Sequence, residues 1–255
     1  MENLSQPFLG NVSAITIFTP DLDKSYEFYH KLGFNEIFRS DFPFPVLQMS
    51  DGALLMMLRK GPEPYIALTY YVKDLESKVS FLENAGVEFF VKPLPSDMIK
   101  RYVMKSPDGL SISLVSFVEG FAQPPGPTML NMQQGDYFDP EKYVNKTCGM
   151  FGEFAHPVTD LQISIDFWEK LGFKVLSKME SPYPWAIISD GLAVVGLHQT
   201  KHFDYPAITF FAADMNDKIE KLKASGITGF SDSGKGNTVL TTPEKQHINL
   251  FKMGF

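Results

Sequence analysis

The chain repeats itself, and the repeat decides which folds are open to it. Residues 14–60 align with residues 153–199 at a constant offset of 139, without a gap, and fourteen of the 47 paired positions are identical. PDLDKSYEFYHKLGF (Pro20–Phe34) matches TDLQISIDFWEKLGF (Thr159–Phe173), and DFPFPVLQMSDGALLMML (Asp41–Leu58) matches ESPYPWAIISDGLAVVGL (Glu180–Leu197). Tyr65–Phe90 then matches Tyr205–Phe230 at offset 140, with eight identities in 26. The sequence is two tandem halves.

Each half is doubled again. An Asp opens a segment that closes on Gly twelve residues later at Asp21–Gly33, Asp74–Gly86, Asp160–Gly172 and Asp214–Gly226. Asp accepts hydrogen bonds from the free N–H groups of a first helical turn, and Gly supplies the left-handed residue past a helix end. Apolar residues at helical spacing lie between them, such as Leu22, Tyr26, Tyr29 and Leu32. Before the Asp stand strand-like runs, SAITIFT, IALTYYV and AITFFAA. EFAHPVT is the weakest of the four, because Pro157 belongs at a strand end or edge. After each Gly come further strand-like runs with turns at Ser50–Gly52, Ser189–Gly191 and Ser106–Gly109. The fold class is α+β: four βαβββ units in tandem, over 8–60, 65–117, 150–199 and 205–255. Residues 118–149 form a connector whose QPPGPT cannot continue a helix or a central strand; a short helix from Pro140 is expected.

Four such units, with DLxxSxxFYxxLGF, SDG before an apolar strand, and SPDGLSISLV, resemble the vicinal oxygen chelate superfamily of glyoxalase I, bleomycin-resistance proteins and extradiol dioxygenases. The resemblance covers nearly the whole chain outside the connector. It implies two glyoxalase-like domains, 1–117 and 150–255, each a curved mixed sheet forming a cup with helices outside. It also implies a divalent metal held by His, Gln or Glu from first and last strands. Carried over residue by residue, those positions are Ala14, Met56, Ala67 and Ser113 in the first half, and Glu153, Val195, Ala207 and Asn249 in the second. A metal needs several oxygen, nitrogen or sulfur donors converging on it. One carboxylate, one amide and one hydroxyl are too few, so no metal and no cofactor is expected.

Strand alternation then assigns the cup linings. Thr16, Phe18, Thr69, Tyr71, Ser111 and Ser113 line the first, and Glu153, Thr209, Phe211, His247 and Asn249 the second, with Trp185 a candidate lid. Small hydroxyls and aromatics suit a flat or amphipathic organic ligand. Glu153 and His247 are the candidates for acid–base work if they come within hydrogen-bond reach. His198 and His202, at i and i+4, allow a two-His site but read as a solvated loop; His30 is given no role, and His156 reads as a core or edge histidine.

The remaining features exclude classes. Net charge is −7 with no basic block, which sets nucleic acid aside. No apolar stretch approaches a membrane span, and MENLSQPFLG, without a basic region or a long apolar run, is not expected to act as a signal peptide. The single Cys148 makes no intrachain disulfide, so a reducing, cytoplasmic setting is the simplest fit. Three functions stay open: a metal-free binding protein for an aromatic or amphipathic small molecule, a metal-dependent or metal-free lyase, isomerase or dioxygenase, and an interaction module with vestigial cups. Monomer and homodimer are both compatible with four units in one chain.

Overall fold

The computed structural model describes residues 8–234 and 237–253. The first repeat runs β1 (Val12–Thr19), α1 (Leu22–Lys31), β2 (Asn35–Ser40), β3 (Val46–Ser50) and β4 (Leu55–Lys60). The second runs β5 (Ile66–Val72), α2 (Leu75–Asn84), β6 (Arg101–Lys105) and β7 (Ser111–Ser116). The third runs β8 (Met150–Pro157), α3 (Leu161–Lys170), β9 (Lys174–Met179), β10 (Trp185–Ser189) and β11 (Val194–His198). The fourth runs β12 (Ala207–Ala212), α4 (Met215–Ala224), β13 (Phe230–Gly234), β14 (Asn237–Thr241) and β15 (His247–Lys252). The sheets are mixed: seven strands in the order β2-β3-β4-β1-β5-β7-β6, and eight in the order β13-β14-β15-β12-β8-β11-β10-β9. Within a repeat the first and last strands pair in parallel, as in Ala67↔Ser111 and Ala207↔His247. Each sheet is built from one sequence half.

All four helices start just after their Asp and end at a Gly of positive φ: 92° at Gly33, 86° at Gly86, 86° at Gly172 and 85° at Gly226. The caps themselves divide into two kinds. Asp21 accepts from Lys24 N at 3.1 Å and Asp160 from Ile163 N at 3.0 Å. Asp74 and Asp214 make no side-chain cap; Asp214 is drawn instead toward the buried Lys218 ammonium, 3.4 Å away. β8 forms in full with Pro157 as its last residue, where a missing N–H costs least. The second repeat has one strand fewer. After Gly86 only an isolated bridge, Val91↔Val103, stands where the fourth repeat has β13, and Pro93 and Pro95 remove two donors from this stretch. In the connector, three short 3-10 turns occur, the last at Pro140–Lys142.

By contacts the chain forms two compact units, and each draws on both halves. One holds the chain up to Thr16, Ile66–Gln123 and Ala155–Tyr205. In it the turn after β6 reaches α3: Asp108 accepts from Thr159 N at 2.7 Å and Ser164 Oγ at 2.5 Å. Tyr70 Oη donates to Asp190 Oδ2 at 2.7 Å. The other unit holds Ile17–Tyr65, Pro124–Phe154 and the chain from Pro206. There the turn after β14 reaches α1: Glu244 accepts from the Ser25 hydroxyl, and from Tyr29 Oη at 3.1 Å. Asn145 Nδ2 donates to Leu32 O at 3.0 Å and Asp51 Oδ2 at 3.1 Å. The core of this second unit is aromatic, with Tyr29, Phe34 and Phe210 fully buried, Phe34 and Phe210 meeting edge to face.

Candidate functional site

Two polar rows stand on sheet faces turned away from the helices. The first lies in the unit containing α2 and α3. Register pairs Thr69 with Ser113, Tyr71 with Val115, Val103 with Ser113 and Arg101 with Val115, so these side chains share one face. The opposite face carries Tyr102, whose hydroxyl donates to Glu76 of α2 at 3.1 Å. The row therefore points away from α2. Thr16 Oγ1 and Thr69 Oγ1 bond each other at 2.8 Å, both buried. Tyr71 meets Phe121 edge-on at 4.9 Å between ring centres, and burial pushes its phenol well above the usual range. Ser113 is buried and Ser111 half-buried.

The second row lies in the unit containing α1 and α4. Thr209 pairs with Asn249, Ala207 with His247, Phe211 with Phe251, and Val239 with Asn249. Asn249 Nδ2 donates to Thr209 Oγ1 at 3.1 Å. Phe211 and Phe251 pack edge to face at 6.1 Å. Ile208, Phe210, Ile248 and Leu250 fill the other face and are buried. Glu153 is buried on β8, and His247 is half-buried at the start of β15. β12 runs between those two strands, which separates their backbones by about 9–10 Å.

The remaining candidates sit in aromatic clusters. Phe18 contacts Tyr65 at 4.6 Å and the Arg59 guanidinium at 5.3 Å, and Arg59 also lies 3.8 Å over Phe44. Trp185 stacks near His198 at 6.5 Å and 24°, and Tyr183 and Phe203 meet the same imidazole. Sequence reasoning left His198 in a loop; it closes β11 opposite Trp185. It also missed Arg101 and Lys105, which the register of β6 places on the first row. Alternation along RYVMK was the available signal. His156 is 3% exposed, its Nε2 3.5 Å from Ser106 Oγ and its Nδ1 without a hydrogen-bond partner. Burial drives its pKa down to about 4; Asp108 opposes this and His198 adds to it.

The divalent metal that the resemblance implies does not fit these residues. Alanine stands at 14, 67 and 207, methionine at 56 and valine at 195, none of them an oxygen or nitrogen donor. Glu153 and Asn249 are the two remaining oxygen donors of the second half, too few to hold the ion by themselves. Among the described residues no three His, Cys, Asp or Glu side chains cluster as a metal site would require. No helix among them is long and apolar enough to cross a membrane.

Residues 11–114 match the family described as the Glyoxalase/Bleomycin resistance protein/Dioxygenase superfamily. No curated protein matches the chain. Among solved structures, homoprotocatechuate 2,3-dioxygenase from Arthrobacter globiformis is similar at TM-score 0.63 and 15% identity, over 98% of this chain and 81% of that one. The 2,3-dioxygenase LapB from Pseudomonas sp. KL28 is similar at 0.60 and 13%, over 97% and 94%. Homoprotocatechuate 2,3-dioxygenase from Brevibacterium fuscum, in complex with 3,4-dihydroxyphenylacetate, is similar at 0.62 and 15%, over 98% and 83%. At these identities the likeness is one of fold.

Proposed function

We propose that this protein, whose residues 11–114 match the Glyoxalase/Bleomycin resistance protein/Dioxygenase superfamily and whose fold is similar to that of the 2,3-dioxygenases, binds a small aromatic or amphipathic molecule without a resident metal. The observation that carries this reading is the Asn249–Thr209 hydrogen bond. It puts a neutral amide–hydroxyl pair, able to exchange bonds with a ligand, beside positions 195 and 207, whose valine and alanine give a metal no donor. The aromatic pair Phe211 and Phe251 beside it offers faces and edges for a ring. In the first half Thr16, Thr69, Ser111 and Ser113 repeat the theme with hydroxyls alone. On this reading each half, 1–117 and 150–255, supplies one cup, and Glu153 and His247 orient ligand rather than transfer protons.

The test has two measurements on the same preparation. Incubation with Mg, Mn, Fe, Co, Ni and Zn, then extensive dialysis against metal-free buffer and elemental analysis, should leave substoichiometric metal. A thermal-shift panel of aromatic and amphipathic small molecules should yield ligands whose effect shrinks in Asn249→Ala. One tightly held metal per chain sinks the reading and moves attention to lyase and dioxygenase assays.

A further inference from the structure

We infer that the first row is closed by the chain's own connector: the Phe121 ring sits where the ring of an aromatic ligand binds, and residues 118–123 lift to admit it. This rests on the small-molecule reading above and adds the regulation of one of its two rows. The chain leaves β7 with Phe117 N donating to Val72 O at 3.0 Å. It then turns, Phe121 N donating to Val118 O at 3.2 Å. The turn brings the Phe121 ring edge-on to Tyr71, 4.9 Å between centres, on the face away from α2. Two residues on, Gln123 Oε1 accepts from Ser13 N of β1 at 2.9 Å. Both of these ties are made by connector side chains, so both can be released without breaking a strand ladder.

The second row shows what the connector adds. Tyr71 and Val115 face each other across β5 and β7 as Phe211 and Phe251 do across β12 and β15. The edge-on partner of Phe211 is therefore part of its own sheet. Valine stands at the corresponding place in the first row, and the connector supplies the aromatic partner instead. Tyr71 is 5% exposed and Val115 9%, whereas Phe211 and Phe251 are half-buried. An aromatic pair that is fixed in one row is removable in the other.

The Tyr71 hydroxyl indicates what replaces Phe121. It makes no hydrogen bond among the described residues, and burial alone raises its pKa. A buried hydroxyl left without a partner is costly, and a phenylalanine ring offers it none. A ligand ring with a hydroxyl substituent makes the same aromatic contact and also bonds the phenol. The ligand class is thus a phenol rather than an aromatic hydrocarbon.

The probes are 4-methylphenol and 1,4-dimethylbenzene, alike in shape, with binding to the full chain read by isothermal titration calorimetry. Hydrogen exchange over residues 117–124, read by mass spectrometry, follows the connector. In the parent, 4-methylphenol should bind and speed exchange in that segment. A site that must open before it binds loses affinity in proportion to its closed fraction, so Phe121→Ala should bind 4-methylphenol about tenfold or more tightly. Gln123→Ala should tighten binding by a smaller factor. Tyr71→Phe should abolish the preference for 4-methylphenol over 1,4-dimethylbenzene. Unchanged circular dichroism shows that the variants fold. If Phe121→Ala binds no more tightly than the parent, or if the parent binds with exchange over 117–124 unchanged, the closure is wrong and the small-molecule reading stands. If the preference survives Tyr71→Phe, the phenol class is wrong. If neither probe binds Phe121→Ala, whose row is uncovered, closure and small-molecule reading fall together.

Discussion

The Ser164 hydroxyl donates to Asp108 at 2.5 Å, which ties the turn after β6 to the first turns of α3. Across the pseudo-repeat the same bond recurs between Ser25 and Glu244. An acid in the last turn of one repeat thus grips the helix of another, and the grip joins the two sequence halves within each compact unit.

Removing that acid should therefore be costly out of proportion to its exposure. Asp108→Ala deprives the Thr159 N–H and the Ser164 hydroxyl of their acceptor, an expected loss of about 2–4 kcal/mol, since a bond to a charged acceptor counts for about 1.5–3 and the solvent-exposed Thr159 bond for less. Glu244→Ala should cost at least as much, because it removes the carboxylate that accepts from both the Ser25 hydroxyl and the fully buried Tyr29 hydroxyl, leaving Tyr29 only its bond with Thr242. Urea unfolding checks both: the midpoint should fall with an unchanged slope. In Glu244→Ala, adding Tyr29→Phe should recover part of the loss.

The two hairpin aspartates are held by different donors, and this predicts a pH-dependent cost. Asp190 receives Tyr70 Oη, while Asp51 receives the amide of Asn145. The residue equivalent to Tyr70 is Phe210, which has no hydroxyl to give. Burial raises the pKa of Asp190, and the Tyr70 bond works against that rise. Tyr70→Phe withdraws a bond from the ionised form, so the carboxyl pKa should climb further. The loss, about 1–3 kcal/mol, should be fully present near pH 7.5 and shrink as the carboxyl takes up its proton. Urea midpoints at pH 7.5 and 4.5 distinguish this from a pH-independent packing loss.

The repeat, the helices and their glycine ends were legible in the sequence because each rests on local chemistry: a cap, a left-handed residue, a 3.6-residue period. The Thr209–Asn249 and Thr69–Ser113 pairs were legible too, since strand alternation and the repeat offset fix which residues share a face. What stayed hidden depends on register or on contacts distant in sequence. Arg101 follows a coil in which the second repeat loses a strand, so its face emerges only from pairing with β7. Asp108 and Glu244 look like turn residues until the helices they grip are in place. Asp74 and Asp214 look like Asp21 and Asp160, yet neither caps through its side chain.

His156 should set the acid limb of the stability curve. Its position corresponds to Ile17 in the first half, and both side chains are buried. The folded imidazole has a pKa of about 4 against an ordinary 6.5, chiefly through burial. Above about pH 6.5 neither state holds the proton. Below it only the unfolded chain does, so stability falls as pH drops, up to about 3 kcal/mol by pH 4. Asp51 and Asp190, whose pKa values burial raises, slope the other way and lose stability as pH rises through their range. His156→Ile should remove only the first slope, so the stability at pH 5 relative to pH 7 should rise above that of the parent. Chemical denaturation at those two pH values checks it, and an unchanged ratio would place the acid sensitivity elsewhere.

Lys245 holds a φ of 61°, the one non-glycine residue with positive φ among those described. Its counterpart in the second repeat is Gly109, at 89°. The turn after β14 thus has the geometry of the SPDG turn but a side chain where glycine fits. A left-handed residue with a Cβ costs about 1–2 kcal/mol, and glycine returns about 0.5–1 of that through the greater freedom of the unfolded chain. Lys245→Gly should therefore stabilise by about 0.5–1 kcal/mol, seen as a higher urea midpoint. The reverse exchange, Gly109→Lys, should destabilise by a similar amount. The pair also tests the grip of Glu244 on α1, because that acid precedes Lys245 directly. If Lys245→Gly loosens the turn enough to weaken the bonds to Ser25 and Tyr29, the midpoint will fall instead, and the side chain's strain will prove to be what holds the acid in place.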